Sequence, residues 1–525
     1  MTRVALFLSL RILWNLAVKA ALATASGWAL VGPVNARANP VEVAFPEFDN
    51  VTYLAGGKIS TQGSVRFRPC RVHDPDRQHY QSMDCGYLIV PENPAAPTGR
   101  QLTLFVGRLP AIAREAQPDP LLVIDGGPGS AASETFIMPG RGLEKIRQNR
   151  EMYIVDQRGT GKSGRLDCDV DEELVPADEV DLAQLTRDCL AQLDTDPRFY
   201  TTAIAVNDLE QVRRALALEQ WNIYGVSYGT RVAQEYLREF PGAIRTMVLD
   251  GVLPPQITLM PRIALESQRA LEQLITRCAN NGDCRTRFGG LETGIASLFS
   301  ALEKRPITVV VDPFVSAEEG TYTLGKDELT MLVRLSLYNS ATLAILPLTL
   351  HEAYANNNFL PLARSAKKLL GKLENTFANA MHNSVMCSED FVGFDPASLE
   401  NLHLENTYIG ADQVRDFMTL CELWPTGAVG PNFKKPVISD VPVLLISGSV
   451  DPITPPEYAA LAAKHLTQNH QIVVEGFGHG VAAIGCMPRL MARFVQRASA
   501  AGLDEQCLAA LKPDPFFIDF NGPSP

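Results

Sequence analysis

The cysteines and histidines of this chain form no Cys-x-x-Cys pair and none of the usual zinc spacings. A bound metal is therefore not expected, and nothing in the sequence calls for another cofactor. Positive charge is not in excess: 47 Lys and Arg stand against 59 Asp and Glu, a net charge of −12. A nucleic-acid binder needs a basic patch to meet phosphates, so that class is set aside, and a cationic substrate end is mildly favoured. Internal repeats and low-complexity segments are lacking too. The loop Asp156-Gln157-Arg158-Gly159-Thr160-Gly161-Lys162-Ser163 resembles a phosphate loop only superficially. Gly159 stands two residues before Gly161, so the G-x-x-x-x-G-K-[ST] spacing fails, and with it a kinase or ATPase. We read the loop as a buttress in which Asp156 pairs with Arg158. Histidine is scarce, with eight in 525 residues, which shortens the search for a base.

What is present is a globular composition, 46% apolar and 20% charged, on a chain long enough for several domains. Arg3, Arg11 and Lys19 precede the apolar run Ala20 to Val34, and Ala36-Arg37-Ala38 offers a cleavage site before Asn39. Residues 1–38 thus read as an export signal, not a membrane anchor, because the run is short and broken by Ser26, Gly27 and Pro33. After cleavage no stable membrane association is expected, and the address is periplasmic or extracellular. Ten cysteines suit an oxidising compartment. They fall in neighbouring pairs, so the expected bridges are 70–85, 168–189, 278–284, 387–421 and 486–507.

Strand-like segments at Ser64 to Arg68, Gly86 to Val90 and Leu102 to Val106 predict an antiparallel edge. From Leu121 the pattern changes to short apolar strands alternating with helices: Leu121 to Ile124, Met152 to Val155, a helix over Ala203 to Leu218, a strand from Trp221, and Thr246 to Leu249. Such alternation predicts a parallel sheet covered on both faces. It stops at Pro254-Pro255 and resumes with Val441 to Gly448 and Gln471 to Val474. The stretch between, mainly helical, lands above the carboxyl ends of the strands, where ligands bind. The expected organisation is 39–253 for the first part of an α/β core, 254–436 for a helical cap, and 437–525 for the rest of the core.

Within that frame Gly225-Val226-Ser227-Tyr228-Gly229 joins a strand to a helix. A strained turn carrying one serine between two small glycines is a nucleophile elbow. A serine needs a base, and the base needs an acid to fix its tautomer. Downstream, His479 sits in Gly478-His479-Gly480 after the last strand, and Asp451 follows the strand before it. Asp250 is the rival acid. The oxyanion calls for two N–H donors, one from Tyr228 and one from Gly126 or Gly127.

Taken together, Gly126-Gly127-Pro128-Gly129, Asp156 to Gly161, Gly225 to Gly229, Ser384 to Asp390, Cys421 to Pro425, Gly448 to Pro455 and Gly478 to Gly480 resemble the α/β-hydrolase serine peptidases. The chain is most similar there to the proline iminopeptidases and the secreted tripeptidyl aminopeptidase-like proteins. The resemblance implies an α/β-hydrolase fold, a mostly parallel sheet with helices on both faces, with a mainly helical cap inserted before the acid-bearing strand. It implies Ser227, Asp451 and His479 as triad, Gly126, Gly127 and Tyr228 as oxyanion donors, and a TAP-like C-terminal part. Proline iminopeptidases usually carry histidine where Asp125 stands, so strict proline specificity is not implied. Glu389 and Asp390 match a cap motif whose acids hold the substrate's α-amine; an internal salt bridge or helix cap explains them equally well. The expected activity is that of an exported serine exopeptidase taking peptides by a free N-terminus, with a small-ester carboxylesterase as alternative. A binding protein on an inactive scaffold is a third reading.

Overall fold

In the computed structural model the described residues are 45–75, 77–137, 140–168, 181–316 and 320–523. The leader expected over 1–38 lies outside them. Thirteen strands are named here in chain order: β1 (Val51–Tyr53), β2 (Ser60–Gln62), β3 (Val65–His73), β4 (Tyr80–Pro91), β5 (Gln101–Leu109), β6 (Leu121–Ile124), β7 (Met152–Val155), β8 (Trp221–Val226), β9 (Ile244–Asp250), β10 (Ile307–Val310), β11 (Thr321–Leu324), β12 (Val443–Gly448) and β13 (Asn469–Val474).

Eleven of them form one sheet in the order β1-β3-β4-β5-β7-β6-β8-β9-β12-β13, with β2 paired to β3. β7, β6, β8, β9, β12 and β13 are mutually parallel, and β1 to β5 are antiparallel up to the β5–β7 seam. This is the predicted arrangement, parallel with an antiparallel N-terminal edge.

The parallel strands read as unbroken apolar runs because both of their faces are covered. Successive side chains of a strand point to opposite faces, and the packing follows that period of two. Leu122, Ile124, Tyr153, Val155 and Leu445 join one core; Leu121, Val123, Met152, Ile154, Leu444 and Ile446 join the other. The helix Thr202–Ala215 closes the first side with Val206, Leu209 and Val212, its apolar stripe as read from the sequence. The helix Met487–Arg497 closes the second with Leu490, Met491, Phe494 and Val495.

Between β9 and β12 the chain is helical apart from the hairpin of β10 and β11. Of the two hairpin strands, Thr321–Leu324 gives little apolar signal, being four residues with two threonines. These helices pack on a core of their own, including Leu271, Leu298, Leu332 and Leu362. They meet the main body through Leu259, Met260, Ile263, Met386 and Phe417 against Ile453 and Tyr458.

All five expected cysteine pairs are bridged as predicted. One expectation fails. Asp156 does not pair with Arg158: it accepts from Ser133 N and Oγ and from Lys162 N. Arg158 reaches the other way, donating to both oxygens of Asp208 at 2.6 and 2.7 Å and to the carbonyls of Glu92 and Phe199. Both are buried, and a buried charge demands several partners at once. Neighbours two apart in a loop cannot supply them, so each side chain binds a different segment.

Candidate active site

Ser227 leaves the end of β8 with φ 58° and ψ −129° and caps the helix Tyr228–Glu239. A residue with a Cβ is strained there and holds only where its surroundings dictate it. They do so on both sides: Ser227 N–H donates to Asp250 O at 2.9 Å, and its carbonyl accepts from Thr230 N at 2.9 Å. The flanking glycines are required for space. A Cβ on Gly225 would stand 2.7 Å from Gly229 O, and one on Gly229 would stand 2.5 Å from Ile124 O. The elbow is thereby pressed against the end of β6, which brings the Gly126-Gly127 turn beside the serine.

His479 and Asp451 arrive from the loops after β13 and β12. His479 Nδ1 lies 2.8 Å from Asp451 Oδ2, with 9% and 0% of the two side chains exposed. The carboxylate is held from behind. Its Oδ1 accepts from Ile453 N and Thr454 N at 2.9 Å each, and the Thr454 hydroxyl lies 2.9 Å from Oδ2 and 3.1 Å from His479 Nδ1. Burial opposes a charged imidazole, but the Asp451 charge and hydrogen bond, helped by Asp250, outweigh it and hold the His479 pKa above its ordinary 6.5. From above, the His479 amide donates to Tyr338 O at 2.9 Å, and the two rings sit 5.0 Å apart.

Asp250, the rival acid, is spent elsewhere. It accepts from Tyr224 Oη at 2.8 Å and from the amides of Val481 and Ala482 at 2.9 Å each. It shapes the turn after His479 rather than touching the imidazole nitrogen.

The sequence offered Gly126 or Gly127 as one oxyanion donor. Here the Gly126 amide is occupied by its neighbour, donating to Asp125 Oδ1 at 2.8 Å. Asp125 is buried, its Oδ2 has no hydrogen-bond partner, and burial pushes its pKa up. Gly126 still has a steric role, since a Cβ there would come within 2.8 Å of Ser227 Cβ. The turn is pinned from the inserted helices: Ala378 N donates to Gly129 O at 3.0 Å, and His382 Nδ1 lies 3.0 Å from Pro128 O. Burial drives the His382 pKa down to about 4, so this imidazole is a neutral strut.

Glu389 and Asp390 do not hold the place expected of an amine anchor. They lie in a turn of π-helix, Cys387–Phe391, and both are fully consumed inside the protein. Glu389 accepts from Thr202 N and Oγ1 at 2.7 and 2.9 Å. Asp390 accepts from Arg231 Nη1 at 3.0 Å, Lys434 Nζ at 2.8 Å and Leu259 N at 2.8 Å. Burial pushes Glu389 up to about 7; Asp390 is also desolvated, but Arg231 and Lys434 hold its carboxyl below the ordinary range. In this structure the motif makes an internal salt bridge. Arg231 comes from the helix that follows the nucleophile, so Asp390 straps the inserted helices to the elbow.

Ser227 and His479 open into one cavity of about 500 Å³, with Met331, Phe377, Phe417 and Arg334 reaching into it from the inserted helices. Sequence reasoning missed Thr454, Tyr338, His382, Arg141 and Arg334. Thr454 carried a signal, since it stands three residues past the acid in a quoted motif. The others come from segments whose spacing says nothing about what they face.

Two family models match the chain. One described as "alpha/beta hydrolase fold" matches residues 119–287, the range that holds Ser227. One described as "TAP-like protein" matches 406–507, the range that holds Asp451 and His479. Among curated relatives, the serine protease Hip1 of Mycobacterium tuberculosis is 27% identical over 42% of this chain and 46% of its own length. The chain thus spans about half the length of that relative. The tripeptidyl aminopeptidase of Streptomyces lividans is 25% identical over 77% of this chain and 79% of its own. The proline iminopeptidase of Heyndrickxia coagulans is 27% identical over 42% of this chain and 68% of its own.

Proposed function

From the premise that the chain belongs to the α/β-hydrolase fold family and ends in a TAP-like segment, we propose that it is an exported serine exopeptidase releasing residues or short peptides from free N-termini. The observation that carries the chemistry is the Asp451–His479 pair at 2.8 Å, opening with a strained Ser227 into one cavity. In this reading His479 Nε2 takes the Ser227 proton as Oγ attacks the carbonyl, and Asp451 fixes Nδ1–H toward itself. The amides of Tyr228 and Gly127 receive the oxyanion. His479 then protonates the leaving amine, and water releases the acyl group by the same steps in reverse. Export is supported by five local disulfides, and no helix among the described residues is long and apolar enough to cross a membrane.

A demand for a free N-terminus is supported by the likeness to aminopeptidases. One observation favours the alternative, a carboxylesterase acting on small esters: the acids expected to hold an amine, Glu389 and Asp390, are spent on Thr202, Arg231 and Lys434. The deciding experiment compares free-amine mono-, di- and tripeptidyl amides, their N-acetylated copies and a short-chain nitrophenyl ester, with Ser227→Ala as control. Turnover of free-amine amides alone, lost in the control, establishes the exopeptidase and its cut length. Turnover of the ester without any amide moves the protein to the esterases.

A further inference from the structure

The acids and the arginines that line the cavity differ in how far the protein itself satisfies them. Its carboxylates are Asp125 and Asp250. Asp250 has all its bonds made within the protein, and Asp125 spends one oxygen on the Gly126 amide. The cations are different. Arg141, from the loop beyond β6, and Arg334, from the helix Lys326–Ser336 of the inserted segment, both line the cavity. Neither has an ion-pair partner among the described residues, and Nε of each is buried with no hydrogen-bond partner. Arg334 Nη1 makes a weak contact with Met331 Sδ at 3.8 Å, and its guanidinium lies beside the neutral Tyr338 hydroxyl. This contrasts with Arg158 and Arg231, whose buried guanidiniums are met by carboxylates.

Both arginines are half-buried, and in each the Nε is shut off from water without a partner, so a hydrogen bond is forfeited that a ligand can restore. A protein keeps two in one cavity most economically when a ligand completes them. The planar fork matches a carboxylate with two parallel hydrogen bonds. Arg334 also bears electrostatically on His479 and His382, and Arg141 on Asp125 and Tyr224, so both stand beside the reacting centre.

We propose that this cavity selects substrates carrying a carboxylate, with Arg334 as the principal anion anchor and Arg141 as a second. The inference rests on the serine-hydrolase reading of Ser227 and names the substrate class of that site. The carboxylate comes either from an acidic side chain of the acyl residue or from the free C-terminus of a short peptide.

The test uses the full mature chain and two pairs of free-amine peptide substrates. One pair differs as Glu against Gln in the acyl residue, the other as C-terminal carboxylate against carboxamide. Values of kcat/KM are measured for the wild type, Arg334→Gln, Arg334→Glu and Arg141→Gln. The same peptides are titrated by calorimetry into Ser227→Ala, where binding is read without turnover. The acid member of at least one pair is expected to win by roughly 10- to 100-fold, the worth of hydrogen bonds to a charged partner. That ratio should collapse in Arg334→Gln, invert in Arg334→Glu and shrink in Arg141→Gln; the winning pair identifies the source of the carboxylate. Equal kcat/KM and equal affinity within both pairs in the unsubstituted cavity overturn the inference, as does a ratio that no arginine variant moves. Preferential binding of the acid without hydrolysis upholds the anchor and overturns the peptidase reading. Hydrolysis without preference does the converse.

Discussion

The floor of the cavity and its roof are built on opposite rules. On the floor, contributed by loops at the carboxyl ends of β6, β8, β12 and β13, Ser227, Asp451 and His479 are held by short bonds from more than one side. The Asp451 carboxylate alone has four contacts, and its carbonyl accepts from Arg269. The roof, contributed by helices between β9 and β12, offers Met331, Phe377 and Phe417 and leaves Arg334 without an anion. On the proposed reading, the protein supplies its own partners where geometry must be fixed before substrate arrives, and leaves them to the ligand at the roof.

The sharpest way to break this contrast is Ser227→Ala. Turnover should fall by something on the order of 10⁶ in kcat, as for removal of a triad nucleophile, while substrate affinity measured by calorimetry stays. Loss of both together would mean that floor and roof are not separable.

Asp451→Asn should lower kcat/KM by roughly 10² to 10⁴. It also carries a sign. The neutral imidazole is the working base, and its pKa is raised chiefly by Asp451 against burial. The wild-type rate should therefore climb with pH through a value above 6.5, and the Asn variant should start its climb at lower pH. A pH profile of kcat/KM for both proteins decides.

Asp390→Ala tests the strap between the two regions. It leaves Arg231, 1% exposed, without its closest carboxylate, at a cost of about 3 kcal/mol. The urea midpoint should drop while activity per folded molecule persists, provided Asp390 is structural. Unchanged stability with a raised KM for free-amine substrates would return the residue to the amine-anchor role.

The smallest effect belongs to Thr454→Val. It removes one hydroxyl shared by Asp451 and His479, worth about 1 kcal/mol or roughly fivefold in rate. The loss should appear in kcat, with KM unmoved, in steady-state kinetics.

Legibility in the sequence divides along the same line. The parallel strands were readable because burial on two faces leaves apolar runs such as Leu121 to Ile124. Ser227, Asp451 and His479 were readable because each follows such a run by a few residues in a glycine- or proline-marked loop. The cysteine pairs were readable because each is local. For Glu389 and Asp390 the sequence leaves an amine anchor and an internal bridge level, because a motif gives residue types, not the direction of a side chain; a π-turn carries them toward Thr202 and Arg231. The expected Asp156–Arg158 pair fails for a similar reason: nearness in a loop is not contact. Arg334 lies on a helix whose amphipathic pattern marks its buried side without saying that it lines the same cavity as Ser227.

The disulfides bear on how the chain is made. Their spans are 6, 15, 21, 21 and 34 residues, and each lies inside a single stretch of the chain. In an oxidising compartment a chain arriving from its N-terminus presents Cys70 and Cys85 together, then Cys168 and Cys189, and so on in strict succession. Each loop can be sealed before the next pair emerges, so the correct pairing is the one that arrival order itself favours. The sheet, by contrast, must wait: β12 and β13 join β9 only after the whole roof has been synthesised. For a chain exported as proposed, biogenesis would run on two clocks, local crosslinking first and closure of the sheet last, so that Asp451 and His479 reach Ser227 only once nearly the entire chain is out.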